Sequence, residues 1–333
     1  MFMLGPSHVE VYWPRLGQIP CKNWAGFTLE LFHASVPLLV CGREDAIMRK
    51  LNRRKALALG GFAALSVVSH ATAQDEVLRF ALTPVFLSSD LELLDRLKAY
   101  LQQATGQGVQ LITRRTYQEV TALLVAGQVD GAWLCGFPFV EHKDQLELVA
   151  VPIWRGKPLY QSYLICAGDR VAGSVADLAG DIHAFSDPDS NSGYLVTAAE
   201  LAGRKTTPDR FFKRTIFTYS HLNVVRAVAA GLSQSGSVDG YVYEVLKETN
   251  PELTSATRIV RISEWFGFPP IACPRAAASS PKTIALRRAL LQMHEDPAGL
   301  EVLKMLRLDR FATEPSTLFA SIEQNWNLVR TVT

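Results

Sequence analysis

The chain has 333 residues, 48% of them hydrophobic and 20% charged, with 34 Lys and Arg against 32 Asp and Glu and a formal charge of +2. That length holds one large or two medium domains, and a composition so near the globular average excludes collagen-like, coiled-coil and wholly disordered chains. The near-balanced charge gives no sign of a nucleic-acid partner, and five cysteines scattered at positions 21, 41, 135, 166 and 273 give no disulfide scaffold.

The first elements are those of a leader. Met48 is followed by the basic run Arg49-Lys50-Leu51-Asn52-Arg53-Arg54-Lys55, an apolar stretch from Ala56 to Val68, and Ala71-Thr72-Ala73. A cationic start, a short apolar segment and a small-x-small site make a secretory signal peptide over residues 48–73, and its apolar stretch falls short of the ~20 residues that span a bilayer as a helix. The Arg53-Arg54 pair resembles a twin-arginine signal, with Asn52 where Ser or Thr is usual; the general secretory route fits as well. Residues 1–47 show no periodicity and are expected to lie upstream of a start at Met48. Without residues 1–73 the chain keeps 26 basic and 28 acidic side chains, a charge of −2, and three cysteines, Cys135, Cys166 and Cys273.

Beyond the leader, Val77 to Leu82 predicts a strand. Leu91 to Ala104 predicts a helix with Leu91, Leu94, Leu97, Tyr100 and Leu101 on its inner face, stopped by Gly106. Val109 to Thr113 reads as a strand, Tyr117 to Ala126 as a helix and Val129 to Leu134 as a strand. A second series follows: Tyr163 to Ala167 and Ile182 to Phe185 as strands, a loop from Ser186 to Gly193, a helix from about Tyr194 to Ala202, a helix Asn223 to Ala230, and a strand Ser237 to Val242. Short apolar strands alternating with helices indicate an α/β fold with parallel sheets. The two series share letters: Ala126-Gly127 with Val129-Asp130-Gly131, and Ala230-Gly231 with Val238-Asp239-Gly240. This repeat suggests two lobes of one ancestry with a ligand cleft between them.

The candidate ligand residues cluster at helix starts. Ser190, Asn191, Ser192 and Gly193 close a Ser/Asp/Asn-rich loop where backbone N–H groups and hydroxyls suit an oxyanion; an ordinary N-cap is the alternative. Ser220 is placed to cap the next helix, and His221 to donate to an anion or carry charge beside it. From the first series, Tyr117 begins a helix, while Cys135 and Phe137 follow a strand end, where α/β sheets hold ligands. Pro84-Val85-Phe86 and Tyr160-Gln161-Ser162 complete a rim, although aromatic residues there serve a core equally well. Ser190, His221 and Asp239 have the residue types of a hydrolytic triad without the nucleophile elbow, and the chain has no His-Glu-x-x-His, no Cys-x-x-Cys and no phosphate-loop Lys. No cofactor or metal is expected.

Asp187-Pro188-Asp189-Ser190-Asn191-Ser192-Gly193-Tyr194, Ser220-His221 and Val238-Asp239-Gly240 together resemble the phosphonate, phosphite and phosphate family of periplasmic solute-binding proteins that serve ABC transporters. The resemblance implies an α/β type II binding-protein fold with two lobes, a hinge and a central cleft. It implies that residues 74–167 with 264–333 form lobe 1 and residues 168–263 lobe 2. Ser190, Asn191, Ser192 and His221 would hold the anion, with Tyr117 and residues near Cys135 and Phe137 closing over it, and Tyr243 helping to set pocket size. Where phosphonate binders carry acidic residues for an aminoalkyl group, this chain has Tyr241-Val242-Tyr243 and Phe266 to Ile271, so a smaller oxyanion is expected. Cys135 keeps open an arsenite-binding sensor of the same fold that signals to a histidine kinase, since arsenous acid favours a soft sulfur ligand. The chain is expected to be a periplasmic, monomeric, non-enzymatic receptor whose partner is an ABC permease or a sensor kinase.

Overall fold

The computed structural model describes residues 77–83 and 91–332; the expected upstream extension, the export signal and the rim at Pro84-Val85-Phe86 lie outside them. The first elements are β1 (Leu78–Leu82), α1 (Leu91–Thr105), β2 (Val109–Thr113), α2 (Tyr117–Val125), β3 (Gly131–Trp133), α3 (Gly136–Glu141) and β4 (Leu146–Ile153). After the short β5 (Leu159–Tyr160) come β6 (Ser162–Ala167), β7 (Ile182–Phe185), α4 (Val196–Gly203), α5 (Pro208–Phe211), β8 (Arg214–Phe217), α6 (His221–Ala229) and β9 (Ser235–Asp239). The chain continues through α7 (Gly240–Thr249), α8 (Pro251–Ser255), β10 (Thr257–Ile262), β11 (Phe266–Gly267), β12 (Ile271–Pro274), α9 (Pro281–Leu291), α10 (Pro297–Leu306), β13 (Arg310–Ala312) and α11 (Ala320–Val329).

Apart from the short β5 and β11, the strands form two sheets, one to each lobe. The first has the order β13-β4-β12-β3-β1-β2, and the second β10-β6-β9-β7-β8. In both, the strands at one end pair in parallel (β2-β1-β3 and β8-β7-β9), and antiparallel partners complete the sheet. Because β6 pairs with β9 and β10, Ser162–Ala167 belongs to the second sheet. The outgoing crossing therefore lies between Ile153 and Ser162, earlier than the expected division after Ala167. The return crossing lies between Ile262 and Ile271, and the antiparallel pair β5-β11 ties the two crossings together. The C-terminal α11 packs on both α3 and α4, so it too touches both lobes.

The core explains the helix faces. Leu93, Leu97, Tyr100 and Leu101 are the buried side of α1, and the Tyr100 hydroxyl donates to the carbonyl oxygen of Ala289 in α9 at 2.5 Å. Leu91, expected inside, is 73% exposed because it starts the helix ahead of its packed turns. In the second lobe, His183 donates and accepts between the hydroxyls of Ser235 (2.8 Å) and Ser237 (2.9 Å) and stacks on Phe212, a fully paired neutral imidazole in the sheet.

The repeated letters are only partly equivalent in space. Ala126 and Ala230 both end helices, and each is followed by a left-handed glycine, Gly127 (φ 66°) and Gly231 (φ 69°). The two Val-Asp-Gly segments differ: Gly131 opens β3, whereas Asp239 closes β9 and caps α7. The strand expected to run to Val242 thus stops at Asp239, where the Asp239 carboxylate accepts from the Val242 N–H. Cys135, Cys166 and Cys273 are buried free thiols, and no helix among the described residues is long and apolar enough to cross a membrane.

Candidate functional site

At the C-terminal end of β7 the chain runs through Ser186-Asp187-Pro188-Asp189-Ser190 into one wide turn, Asn191–Leu195, and then α4. Ser190 caps this start: its Oγ accepts from the Gly193 N–H at 3.0 Å, and its carbonyl accepts from the Leu195 N–H at 2.9 Å, five residues on. The helix thus begins three residues before the expected Tyr194, with Asn191, Ser192 and Gly193 inside its first turn. Wide turns of this kind recur at functional sites, and a helix start presents unpaired N–H groups and the positive end of its dipole. Gly193 is required by packing: a Cβ there would collide with the Ser186 hydroxyl and lie 3.0 Å from Cε1 of His221. Ser186 Oγ and Asn191 Oδ1 are buried polar atoms without hydrogen-bond partners.

His221 opens α6 beside this turn and is 1% exposed. The backbone N–H of Asp239 donates to its Nδ1 at 3.0 Å, and a backbone N–H can only donate, so Nδ1 carries no proton and the neutral ring holds its proton on Nε2. Burial drives its pKa down to about 3. The expectation that His221 carries charge is therefore corrected: it acts as a neutral donor, and Nε2–H meets the Tyr117 hydroxyl oxygen at 3.3 Å.

The first lobe and the crossing supply the facing groups. Tyr117, held at the start of α2 by the Thr116–Glu119 capping box, donates its backbone N–H to Asp187 Oδ2 at 3.1 Å and reaches His221 with its side chain. Cys135 caps α3, and its Sγ accepts from the Asn191 N–H at 3.2 Å. Tyr160, in β5, accepts from Asn191 Nδ2 at 2.9 Å. Burial raises the phenols of Tyr117 and Tyr160 well above their ordinary value and the Cys135 thiol to about 11, so all three are neutral. Ser192 lies at the base, its carbonyl accepting from Ser162 Oγ (2.6 Å) and its hydroxyl donating to Asp239 Oδ2 (3.4 Å).

The structure thus brings together Ser190, Asn191, Ser192, His221, Tyr117, Cys135 and Tyr160. The side chains of two other expected residues, Tyr243 and Phe137, pack elsewhere. Tyr243 lies on the far side of α7's first turn, bonding Thr257 Oγ1 (2.9 Å) and packing edge-on to Tyr163. The ring of Phe137 packs on Trp326 of α11, 4.9 Å between centroids. Ser220 sits at the N-cap of α6 without a side-chain capping bond. Ser186 and Asp187, which the sequence marks only as part of the loop, directly follow a strand end, the position that α/β sheets use, and Asp239, a triad candidate by residue type, meets the cluster through its backbone N–H and its carboxylate. The triad residues do not form a relay: it is the Asp239 backbone that meets His221, and the Ser190 hydroxyl oxygen accepts from Gly193.

The chain is similar to known proteins in sequence and in fold. Residues 80–315 match the family described as ABC transporter, phosphonate, periplasmic substrate-binding protein. The chain is similar to the phosphate-import protein PhnD of Mycolicibacterium smegmatis, 33% identical over 133 residues, which is 38% of this chain and 41% of that protein; the match spans less than half of this relative. Among solved structures, the binding component of a Pseudomonas aeruginosa phosphonate transporter superposes with a TM-score of 0.71 at 23% identity, over 77% of this chain and 87% of that one. PhnD1 of Prochlorococcus marinus in complex with methylphosphonate superposes with a TM-score of 0.68 at 17% identity, over 77% of this chain and 99% of that one. With a match across most of the described residues and a two-lobed fold to support it, the chain belongs to the family of periplasmic substrate-binding proteins of phosphonate ABC transporters.

Proposed function

We propose that this protein captures a small tetrahedral oxyanion of the phosphate, phosphite or phosphonate class between its lobes and presents it to an ABC permease. The observation that carries the reading is the convergence at one buried point of the Asn191–Leu195 helix start, neutral His221, Tyr117 and Tyr160, with Ser186 Oγ and Asn191 Oδ1 left without protein partners. Helix N–H groups and hydroxyls are the groups that replace an oxyanion's water shell. The names of the phosphate-import relative and the methylphosphonate complex support the same ligand class. Tyr241 has its hydroxyl on the Leu306 carbonyl, and Phe268 and Pro269 belong to the return crossing, so these positions offer no carboxylate to an aminoalkyl group. In this reading residues 48–73 export the chain to the periplasm, and it acts as a monomer. Calorimetric titration with phosphate, phosphite, methylphosphonate and 2-aminoethylphosphonate tests it. Micromolar or tighter binding of one of the first three is expected; binding of the aminoalkyl compound alone, or of none, overturns it.

The Cys135 thiol favours a second reading, because its sulfur sits on the Asn191 N–H within the cluster. An arsenite receptor acting on a sensor kinase would use that sulfur. Stabilisation by arsenite alone, lost in Cys135→Ser, would select this reading over the first.

A further inference from the structure

The donor and acceptor pattern of the cluster constrains the protonation state of its ligand. Three hydroxyl oxygens already accept a hydrogen bond from the protein: Tyr117 from His221 Nε2–H, Tyr160 from Asn191 Nδ2 and Ser190 from the Gly193 N–H. Each therefore keeps its own proton to donate. One acceptor has no protein partner: Asn191 Oδ1, buried in the cluster; the Ser192 hydroxyl is shared between Asp239 and Tyr160. A fully deprotonated oxyanion has nothing to give Asn191 Oδ1, whereas a ligand that retains one O–H does.

Charge points the same way. Asp187 and Asp239, each 1% exposed, flank the cluster, with Asp189 next to it in the loop and Glu141 of α3 at the rim. Against them stand neutral groups: His221, the Cys135 thiol, Tyr117, Tyr160 and, beyond Asp239, Tyr241. Arg114 and Arg115 precede α2, and the Arg115 guanidinium lies over the Tyr219 ring at 5.9 Å. A second negative charge on the ligand would meet Asp187, and Asp239 once it releases its proton above about pH 7, with no buried cation set against the cluster among the described residues, in a medium where like charges repel strongly.

We infer that the site takes its oxyanion as a singly charged, proton-bearing species, the ligand's O–H donating to Asn191 Oδ1, and that it rejects fully deprotonated tetrahedral anions such as sulfate. This rests on the oxyanion reading above. The test is calorimetric titration of the whole exported chain from pH 5.5 to 8.5 with phosphite, methylphosphonate, difluoromethylphosphonate and sulfate. The expected result is that affinity falls about tenfold per pH unit above each ligand's own second ionisation, with a lower midpoint for the difluoro compound, and that sulfate binds at least a hundredfold more weakly than phosphite. A midpoint common to all the phosphorus ligands assigns the proton to the protein and overturns the inference, as does a pH-independent affinity or sulfate binding within tenfold of phosphite. If the phosphorus ligands fail to bind at every pH, the oxyanion reading itself fails, which is a distinct outcome.

Discussion

The Asp239 backbone N–H and the His221 Nδ1 atom lie 3.0 Å apart, so the end of a strand in the second lobe fixes the tautomer of the imidazole that faces the first lobe. His221 is neutral and His183, paired with two serines, is neutral for the same reason of burial, both pushed down to about 3. Neither ring is expected to titrate between pH 5 and 8 in long-range nitrogen NMR spectra, and His221 should show a protonated Nε2. Each ring's contribution to stability is present above the unfolded value of about 6.5 and is lost as pH falls towards 3. A His221 titration midpoint near 6.5 would contradict the buried, neutral ring, and a protonated Nδ1 the tautomer.

Asp239 has the opposite sign. Burial raises its carboxyl to about 7, so the folded state holds a proton that the unfolded chain, near 3.9, has released. Its favourable contribution is present below about pH 4 and is lost as pH rises through 7. Asp239→Asn keeps an acceptor for the Val242 N–H and removes this dependence. Its melting temperature relative to wild type is expected to rise by several degrees between pH 5 and 8, corresponding to ~2–3 kcal/mol. A difference that stays constant across that range would contradict the assignment.

The bond from the Tyr117 N–H to Asp187 Oδ2 spans the two lobes and places a carboxylate at the start of α2. Asp187→Ala should favour opening: solution scattering should give a larger radius of gyration, and affinity for the oxyanion should drop about tenfold, the loss of one charge-assisted bond. An unchanged scattering profile together with unchanged affinity would show that closure does not depend on this bond.

At Gly193 the space is already filled by Ser186. Gly193→Ala should cost ~1–3 kcal/mol in urea unfolding and disturb ligand binding, because the added methyl must displace the Ser186 side chain or His221. Adding Ser186→Gly is expected to restore part of the stability; no recovery in the double variant would place the strain elsewhere.

Reactivity reports on Cys135. With its thiol buried and raised to about 11, it should resist thiol reagents at pH 8 in the folded protein and react on unfolding, as judged by peptide mapping at Cys135, Cys166 and Cys273. Rapid native labelling of Cys135 would indicate that the cleft opens readily without ligand.

The sequence alone determined the alternation of strands and helices, because a period of two or of 3.6 in apolar residues is local information carried by the letters from Leu78 to Ala132 and again from Ser162 to Asp239. It also marked the Ser190–Gly193 start, since capping residues announce a helix N-terminus. Tertiary structure decided what no spacing encodes. Tyr243 and Phe137 turn into packing against Tyr163 and Trp326, and the wide turn pulls Asn191 into a helix. The second Val-Asp-Gly ends a strand where the first begins one. Above all, residues 70 to 104 positions apart meet only on folding, Tyr117 with Asp187 and with His221. The proton on His221 is fixed by a backbone N–H that the sequence cannot aim, since its direction depends on how β9 ends against α6.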